Sequence, residues 1–315
     1  MNMPQELWYD EEEGKKRMNI VEVRPHLYRI ALPQKMRGFQ KFIGSWVFDG
    51  DCPFVVDVGP KASFEELLRG LKTLNLKRLD FIFLTHIHID HAGATGSLIR
   101  HFPQSNVICH GSGVHHLVDP RRLWEGSKKT LGELAFNYGE IDPVPEKNLL
   151  PSERFNRMGF KVINTPGHAA HHVSLVFGDY LFAGEAAGVF FDLGSRIYLR
   201  PATPVRFMLG EAMGSVDRLL ENGGKEICYA HSGIHSDARQ MLQRYKDQLC
   251  CWREVITEQM EHSSQESLTD HCVTALIEND ESLRVLEEFT EEDRERELYF
   301  IRNSIEGVIQ YLKTS

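Results

Sequence analysis

The stretch Thr85-His86-Ile87-His88-Ile89-Asp90-His91 puts three histidines and an aspartate within six positions. Imidazoles and a carboxylate at this density point to metal ligation, and four such donors suit two adjacent ions, zinc or non-haem iron. In an extended segment alternate side chains share a face. His86, His88 and Asp90 are therefore expected to point one way and Ile87 and Ile89 into the core, with His91 where Ala92-Gly93-Ala94 open a helix. Three more candidates each follow an apolar run: His168 in Asn164-Thr165-Pro166-Gly167-His168, Glu185 in Leu181-Phe182-Ala183-Gly184-Glu185, and His231 in Tyr229-Ala230-His231-Ser232-Gly233. Side chains at strand ends, on loops carried by a rigid scaffold, are where chemistry concentrates.

The elements that must position them read as two β-rich halves. Strands are expected over Val21–Ile30, Lys41–Phe48, Pro53–Val58 and Phe81–Leu84, the last a continuous apolar run of the kind buried on both faces. Ser63 and Glu66 form a capping-box pattern for a helix that Gly70 could end. The second half offers strands at Lys161–Asn164, His172–Phe177, Leu181–Ala183 and Ile227–Ala230, and a helix over Val205–Leu220 closed by Gly223 and Gly224. Between the halves, residues 111–157 read as a helical insertion with Trp124 and the stripe Leu131, Leu134, Ala135, Tyr138. After His231 the chain turns helical. Ala238, Met241, Leu242, Tyr245, Leu249, Trp252 and Ile256 make one apolar face, and Leu298, Ile301, Ile305, Val308 and Leu312 another. This gives a polar lead-in over residues 1–18, a body over 19–235 and a helical segment over 236–315.

Composition removes several classes of function. The chain has 315 residues, 42% of them apolar and 26% charged, which is globular rather than disordered. No apolar run approaches a membrane span, and the acidic N-terminal stretch is no secretory signal, so a cytoplasmic protein without membrane contact is expected. Net charge is −9; from Ser236 onward 18 acidic residues face 9 basic ones, while the preceding part is balanced. That argues against nucleic acid; it says nothing about small substrates, and a small-molecule substrate is expected on other grounds. The six cysteines contain no CxxC pair and read as reduced thiols. A homodimer through the apolar stripes is one option for the helical segment.

The order His-x-His-x-Asp-His, isolated His, carboxylate, last His resembles the metallo-β-lactamase superfamily over about residues 20–235. The resemblance implies an α/β fold, an αββα metallo-β-lactamase-type sandwich, here with a C-terminal helical appendage. It implies two divalent metal ions per chain, zinc first, with iron or manganese as alternatives. One ion would take His86, His88 and His168, the other Asp90, His91 and His231, with Glu185 bridging. His172 would be a buried structural partner, Asp57 and Gly59 structural, and His235 an outer neighbour. His110, His115, His116 and His171 are set aside as ligands. The pattern looks most like the glyoxalase II-like branch. It implies a metallohydrolase in which a metal-bridging hydroxide attacks a thioester, ester or lactone carbonyl, with Asp90 as the catalytic proton carrier. A non-haem iron oxidoreductase resembling persulfide dioxygenases is the alternative. Two departures stand out: the family's usual bridging residue is aspartate, where this chain has Glu185, and the basic residues with which glyoxalase II binds glutathione have no match here.

Overall fold

Two short strands and a turn account for the first β-rich stretch. In the computed structural model, which describes residues 20–194 and 196–314, Val21–Ile30 is two strands and not one. Strand β1 (Ile20–Arg24) and β2 (Leu27–Ala31) pair antiparallel about a turn in which His26 takes a positive φ of 67°. The polar lead-in read over residues 1–18 lies outside the described residues. The chain divides into two compact units, one ending at Arg157 and the other starting at Met158.

In the first unit, β3 (Gly44–Phe48) and β4 (Phe54–Val56) continue the antiparallel run. Then come α1 (Phe64–Thr73), β5 (Phe81–Phe83), α2 (Ile89–Ala92), α3 (Thr95–His101) and β6 (Asn106–Cys109). Helices α4 (Val114–Val118), α5 (Arg121–Leu131) and α6 (Glu133–Tyr138) precede β7 (Leu149–Pro151). The sheet order is β1 to β7, with β4 to β7 parallel. Parallel strands place their C-terminal ends along one edge.

Several local expectations fail for identifiable reasons. The capping box does not form, because the Ser63 hydroxyl accepts from the Gln34 side chain and makes no cap bond. Gly70 does not end α1 but lets Ile30 pack close: a Cβ there would lie 2.6 Å from Ile30 Cδ1. The stripe from Leu131 to Tyr138 is broken by Gly132 at φ 57°, so it spans two helices. The insertion also contributes strand β7, which its short, partly buried sequence did not announce.

In the second unit, β8 (Phe160–Asn164), β9 (Val173–Phe177) and β10 (Tyr180–Gly184) form a meander. A separate hairpin of β11 (Val189–Asp192) and β12 (Ile197–Arg200) precedes α7 (Leu209–Asn222), β13 (Glu226–Tyr229) and β14 (Ile234–His235). The sheet order is β14-β13-β10-β9-β8, with β10 and β13 parallel. Two antiparallel steps from β8 to β10 make β8 run the same way as β10, so β8, β10 and β13 all end on one edge. Helix α7 starts four residues later than expected, after a turn in which Arg206 has φ 73°.

The chain closes with α8 (Ala238–His262), α9 (Leu268–Asn279) and α10 (Glu291–Thr314). Helix α8 lays Ala238, Met241, Leu242, Tyr245 and Leu249 into one core with Leu181, Ile227 and Tyr229 of the strands. Its later part joins a second core with α9 and α10, built on Trp252, Ile256, Leu276, Ile301, Ile305 and Val308. Among the described residues no helix is long and apolar enough to cross a membrane.

A buried ion cluster ties α10 to the hairpin. Glu297 Oε2 accepts from Arg200 Nε (2.5 Å) and the Tyr198 hydroxyl (2.8 Å), and Oε1 accepts from Arg296 Nε (2.8 Å). Burial alone would push this carboxyl up, but Arg200 and Arg296 outweigh it and hold the group below the usual carboxylate range. Removing one partner of such a pair strands the other charges away from water. Glu297→Gln is expected to lower unfolding free energy by about 3–5 kcal/mol in urea titrations; a loss under about 1 kcal/mol would show that the cluster does not hold α10 in place.

Candidate metal centre

In the first unit the donors sit just past parallel neighbours. Asp57 follows β4 and Thr85 to His91 follow β5, with Asp57 N donating to Phe83 O at 2.9 Å. The extended segment is shorter than its alternation suggested: it ends at His88, and Asp90 and His91 lie in the single turn of α2. Ile87 and Ile89 are buried, as expected. The glycine after α2 is required by backbone approach, since a Cβ on Gly93 would fall 2.7 Å from Lys61 N.

Asp57 organises this half. It is buried, with a φ of 54°, and its carboxylate accepts from Thr85 N (2.8 Å), Thr85 Oγ1 (2.8 Å) and His91 Nδ1 (2.9 Å). The last bond fixes the proton of His91 on Nδ1 and turns Nε2 outward as a donor. Thr85 spends its own proton on Asp57, so its oxygen accepts from His86 Nδ1 at 3.0 Å, and His86 likewise presents Nε2. A histidine whose second nitrogen is held by a carboxylate or a hydroxyl is the arrangement metal ligands adopt.

In the second unit His168, Glu185 and His231 follow β8, β10 and β13, the three strands that end on one edge. The β10–β13 register shifts between Phe182 and Gly184, and Gly184 takes φ 59°, a bulge that re-aims the chain at Glu185. His168 Nδ1 donates to Ala202 O at 2.9 Å, leaving Nε2 2.9 Å from Glu185 Oε2. Glu185 Oε1 lies 3.5 Å from His231 Nε2. The Glu185 amide donates to His172 Nε2 (3.1 Å), which puts the His172 proton on Nδ1 toward Thr165 Oγ1 at 2.8 Å. His172 is thus the buried structural partner expected of it.

These donors fit metal ions. With Nδ1 donating to Ala202 O, His168 turns Nε2 to the Glu185 carboxylate, so that either a second proton or a metal ion lies between them. Two donors about 2.0–2.1 Å from one tetrahedral ion lie roughly 3.0–3.4 Å apart. The close pairs within each unit lie within about 0.1 Å of that range: His86 Nε2 to His88 Nδ1 at 3.0 Å, His91 Nε2 to Asp90 Oδ2 at 3.5 Å, and the Glu185 pairs at 2.9 and 3.5 Å. Neutral imidazoles with carboxylates are suited to zinc, iron or manganese.

Three of the histidines set aside have other partners. His110 Nδ1 bonds Ser112 Oγ at 2.8 Å and its Nε2 lies 3.3 Å from Glu153; His115 and His116 stack on each other at 3.9 Å. His235 lies edge-on to Phe190 and accepts from Asp237 N at 3.1 Å. Asp57 has the structural role expected of it, through its bonds to Thr85 and His91, and Ala202 was missed: a main-chain carbonyl has no residue-type signature, and only its place after the β12 strand could have suggested it.

A family model described as the Metallo-beta-lactamase superfamily matches residues 42–231. The chain belongs to the metallo-β-lactamase superfamily. It is 31% identical over 188 residues to the metallo-beta-lactamase fold-containing protein ST1585 of Sulfurisphaera tokodaii, an alignment covering 55% of this chain and 70% of that protein. It is 31% identical over 141 residues to hydroxyacylglutathione hydrolase 1 of Vibrio vulnificus, covering 44% and 45% of the two; the chain thus spans under half the length of that relative. The crystal structure of the metallo-beta-lactamase family protein TTHA1429 from Thermus thermophilus superposes with a TM-score of 0.62 at 20% identity, covering 93% of this chain and 95% of that one, which establishes the fold. The metallo-β-lactamase fold with C-terminal helices is therefore the architecture of this chain.

Asp57 gives the first test of the centre. Asn tolerates the left-handed backbone at this position, so Asp57→Asn should fold, but its amide cannot accept three bonds while leaving the His91 and His86 tautomers fixed. Metal affinity, read by competition with a chromophoric chelator, is expected to fall about 10–100-fold. Unchanged affinity in a folded variant would show that Asp57 does not orient the ligands.

Proposed function

We propose that the protein is a dinuclear metallohydrolase that cleaves a thioester, ester or lactone of a small molecule. On this reading His86, His88 and His168 would hold one divalent ion and Asp90, His91 and His231 the other, with Glu185 shared between them. The observation that carries this reading is the division of the Glu185 carboxylate: Oε2 faces His168 Nε2 at 2.9 Å and Oε1 faces His231 Nε2 at 3.5 Å. A carboxylate with each oxygen turned to a different imidazole supports the reading of Glu185 as the shared ligand. The similarity to a hydroxyacylglutathione hydrolase and, at 26% identity over 155 residues, to the probable metallo-hydrolase MJ0888 of Methanocaldococcus jannaschii supports hydrolysis as the reaction class.

When bound, two such ions supply a water acidic enough to ionise near neutral pH and a Lewis acid for the substrate carbonyl. The chain's own residues do the rest. Asp57 and Ala202 O hold the tautomers of His91 and His168, so these ligands need no rearrangement when a substrate arrives. His172 fixes the main chain of Glu185. Asp90, whose side chain is less buried than that of His91, takes a proton and delivers it to the leaving group. No serine or cysteine nucleophile is invoked.

The test is a panel of thioesters, lactones and phosphodiesters, run with protein loaded with zinc, manganese or iron, alongside metal analysis. Wild-type protein is expected to bind about two ions per chain and to hydrolyse a member of the thioester or lactone set. His88→Ala should lose metal and activity together, with hydrolysis down at least about 100-fold because both depend on the loaded site. Metal content unchanged in His88→Ala would overturn the ligand assignment; dioxygen uptake with a persulfide and no hydrolysis would replace the hydrolase with an iron oxidoreductase.

A further inference from the structure

The residue that selects the tautomer of His168 belongs to a short buried strap, Arg200 to Pro204, that leads out of β12. Helix α10 grips this strap with one face. Glu297 binds Arg200; Ser304 Oγ donates to Pro201 O (3.1 Å) and accepts from Thr203 N (3.4 Å); and Thr203 Oγ1 donates to Ser304 O (2.7 Å). Gly307 is in closest contact: a Cβ there would lie 2.0 Å from Thr203 O and 2.6 Å from Pro204 O. Gln310 Oε1 accepts from Arg206 N at 3.2 Å just beyond the strap. Positions 297, 304, 307 and 310 recur at helical spacing, so one face of the helix reads the whole strap. Ala202, whose carbonyl takes the His168 proton, lies between Pro201 and Thr203, the two residues whose main chain Ser304 binds.

We propose that Ser304 and Gly307 are positioning residues for His168, acting through the strap although neither touches a metal ligand. The proposal rests on the reading of His168 as a ligand. A carbonyl displaced by a few tenths of an ångström no longer commits the His168 proton to Nδ1, and the share of molecules presenting an unprotonated Nε2 falls. Residues more than 130 positions away in the chain would thereby set the affinity of the ion that His168 holds.

The test uses the full chain and three variants. Gly307→Ala pushes a methyl against the Thr203 carbonyl. Ser304→Ala removes the hydroxyl without adding bulk, and carries the test if Gly307→Ala fails to fold. Ile305→Val, in the core between α9 and α10, is the comparator that loosens the helix without touching the strap. Two readouts are taken: imidazole nitrogen shifts in metal-free, 15N-labelled protein, with the His168 signals assigned by their loss in His168→Gln, and zinc affinity by chelator competition. Wild type and Ile305→Val are expected to show His168 protonated on Nδ1. Ser304→Ala and Gly307→Ala should show mixed tautomers and lose about 10-fold in affinity for one of two zinc ions. Ser304→Ala identical to wild type in both readouts would overturn the proposal. The tautomer readout needs no metal, so wild-type protein that bound no zinc would count against the hydrolase reading while the nitrogen shifts still decided the role of the strap.

Discussion

An imidazole binds a metal only through a nitrogen without a proton, and its ring has two nitrogens sharing one. For His86, His91 and His168 the neighbouring groups decide which one keeps it. Asp57 takes the proton of His91 directly and that of His86 through the Thr85 hydroxyl, and Ala202 O takes that of His168. Burying the Asp57 carboxylate costs several kcal/mol unless its lone pairs are satisfied, and the three bonds it accepts, all within 2.9 Å, offset that cost. Preorganisation of this kind lets binding energy go to holding the ions rather than to ordering the ligands.

The two units reach the same arrangement by different topologies. In the first, neighbouring parallel strands β4 and β5 bring Asp57 and the histidine-rich segment to one edge. In the second, β8 and β10 point the same way only because β9 runs back between them, and β13 joins parallel to β10. The β10 bulge at Gly184 then turns Glu185 out of the sheet. Long helices complete the second unit, and they are coupled to its donors: the ion cluster on Glu297 and the Ser304 bonds bind α10 to the segment that carries Ala202.

Much of this was legible in the residues. Buried β5, the isoleucines between the ligands and the stripe Ile301, Ile305, Val308 on α10 follow from periodicity, because apolar burial is what periodicity reports. The candidate donors stood out because few roles other than metal ligation demand such types at such spacing, and the described residues bring them into two groups. What escaped depended on partners distant in sequence. Ser63 looks like a helix cap until Gln34 takes its hydroxyl, and Gly70 like a stop until Ile30 lies on it. The β11–β12 hairpin and Ala202 carry no local signal, since main-chain groups look alike whatever the side chain.

On the proposed reading a glutamate stands where the family's usual residue is aspartate and still joins two ions. A crystal structure of the metal-loaded protein tests this most directly. Both Glu185 oxygens are expected in direct coordination, each about 2.0–2.2 Å from a different ion, with the ions roughly 3.5–4 Å apart. A structure in which the Glu185 carboxylate lies beyond coordination distance of both ions would contradict it.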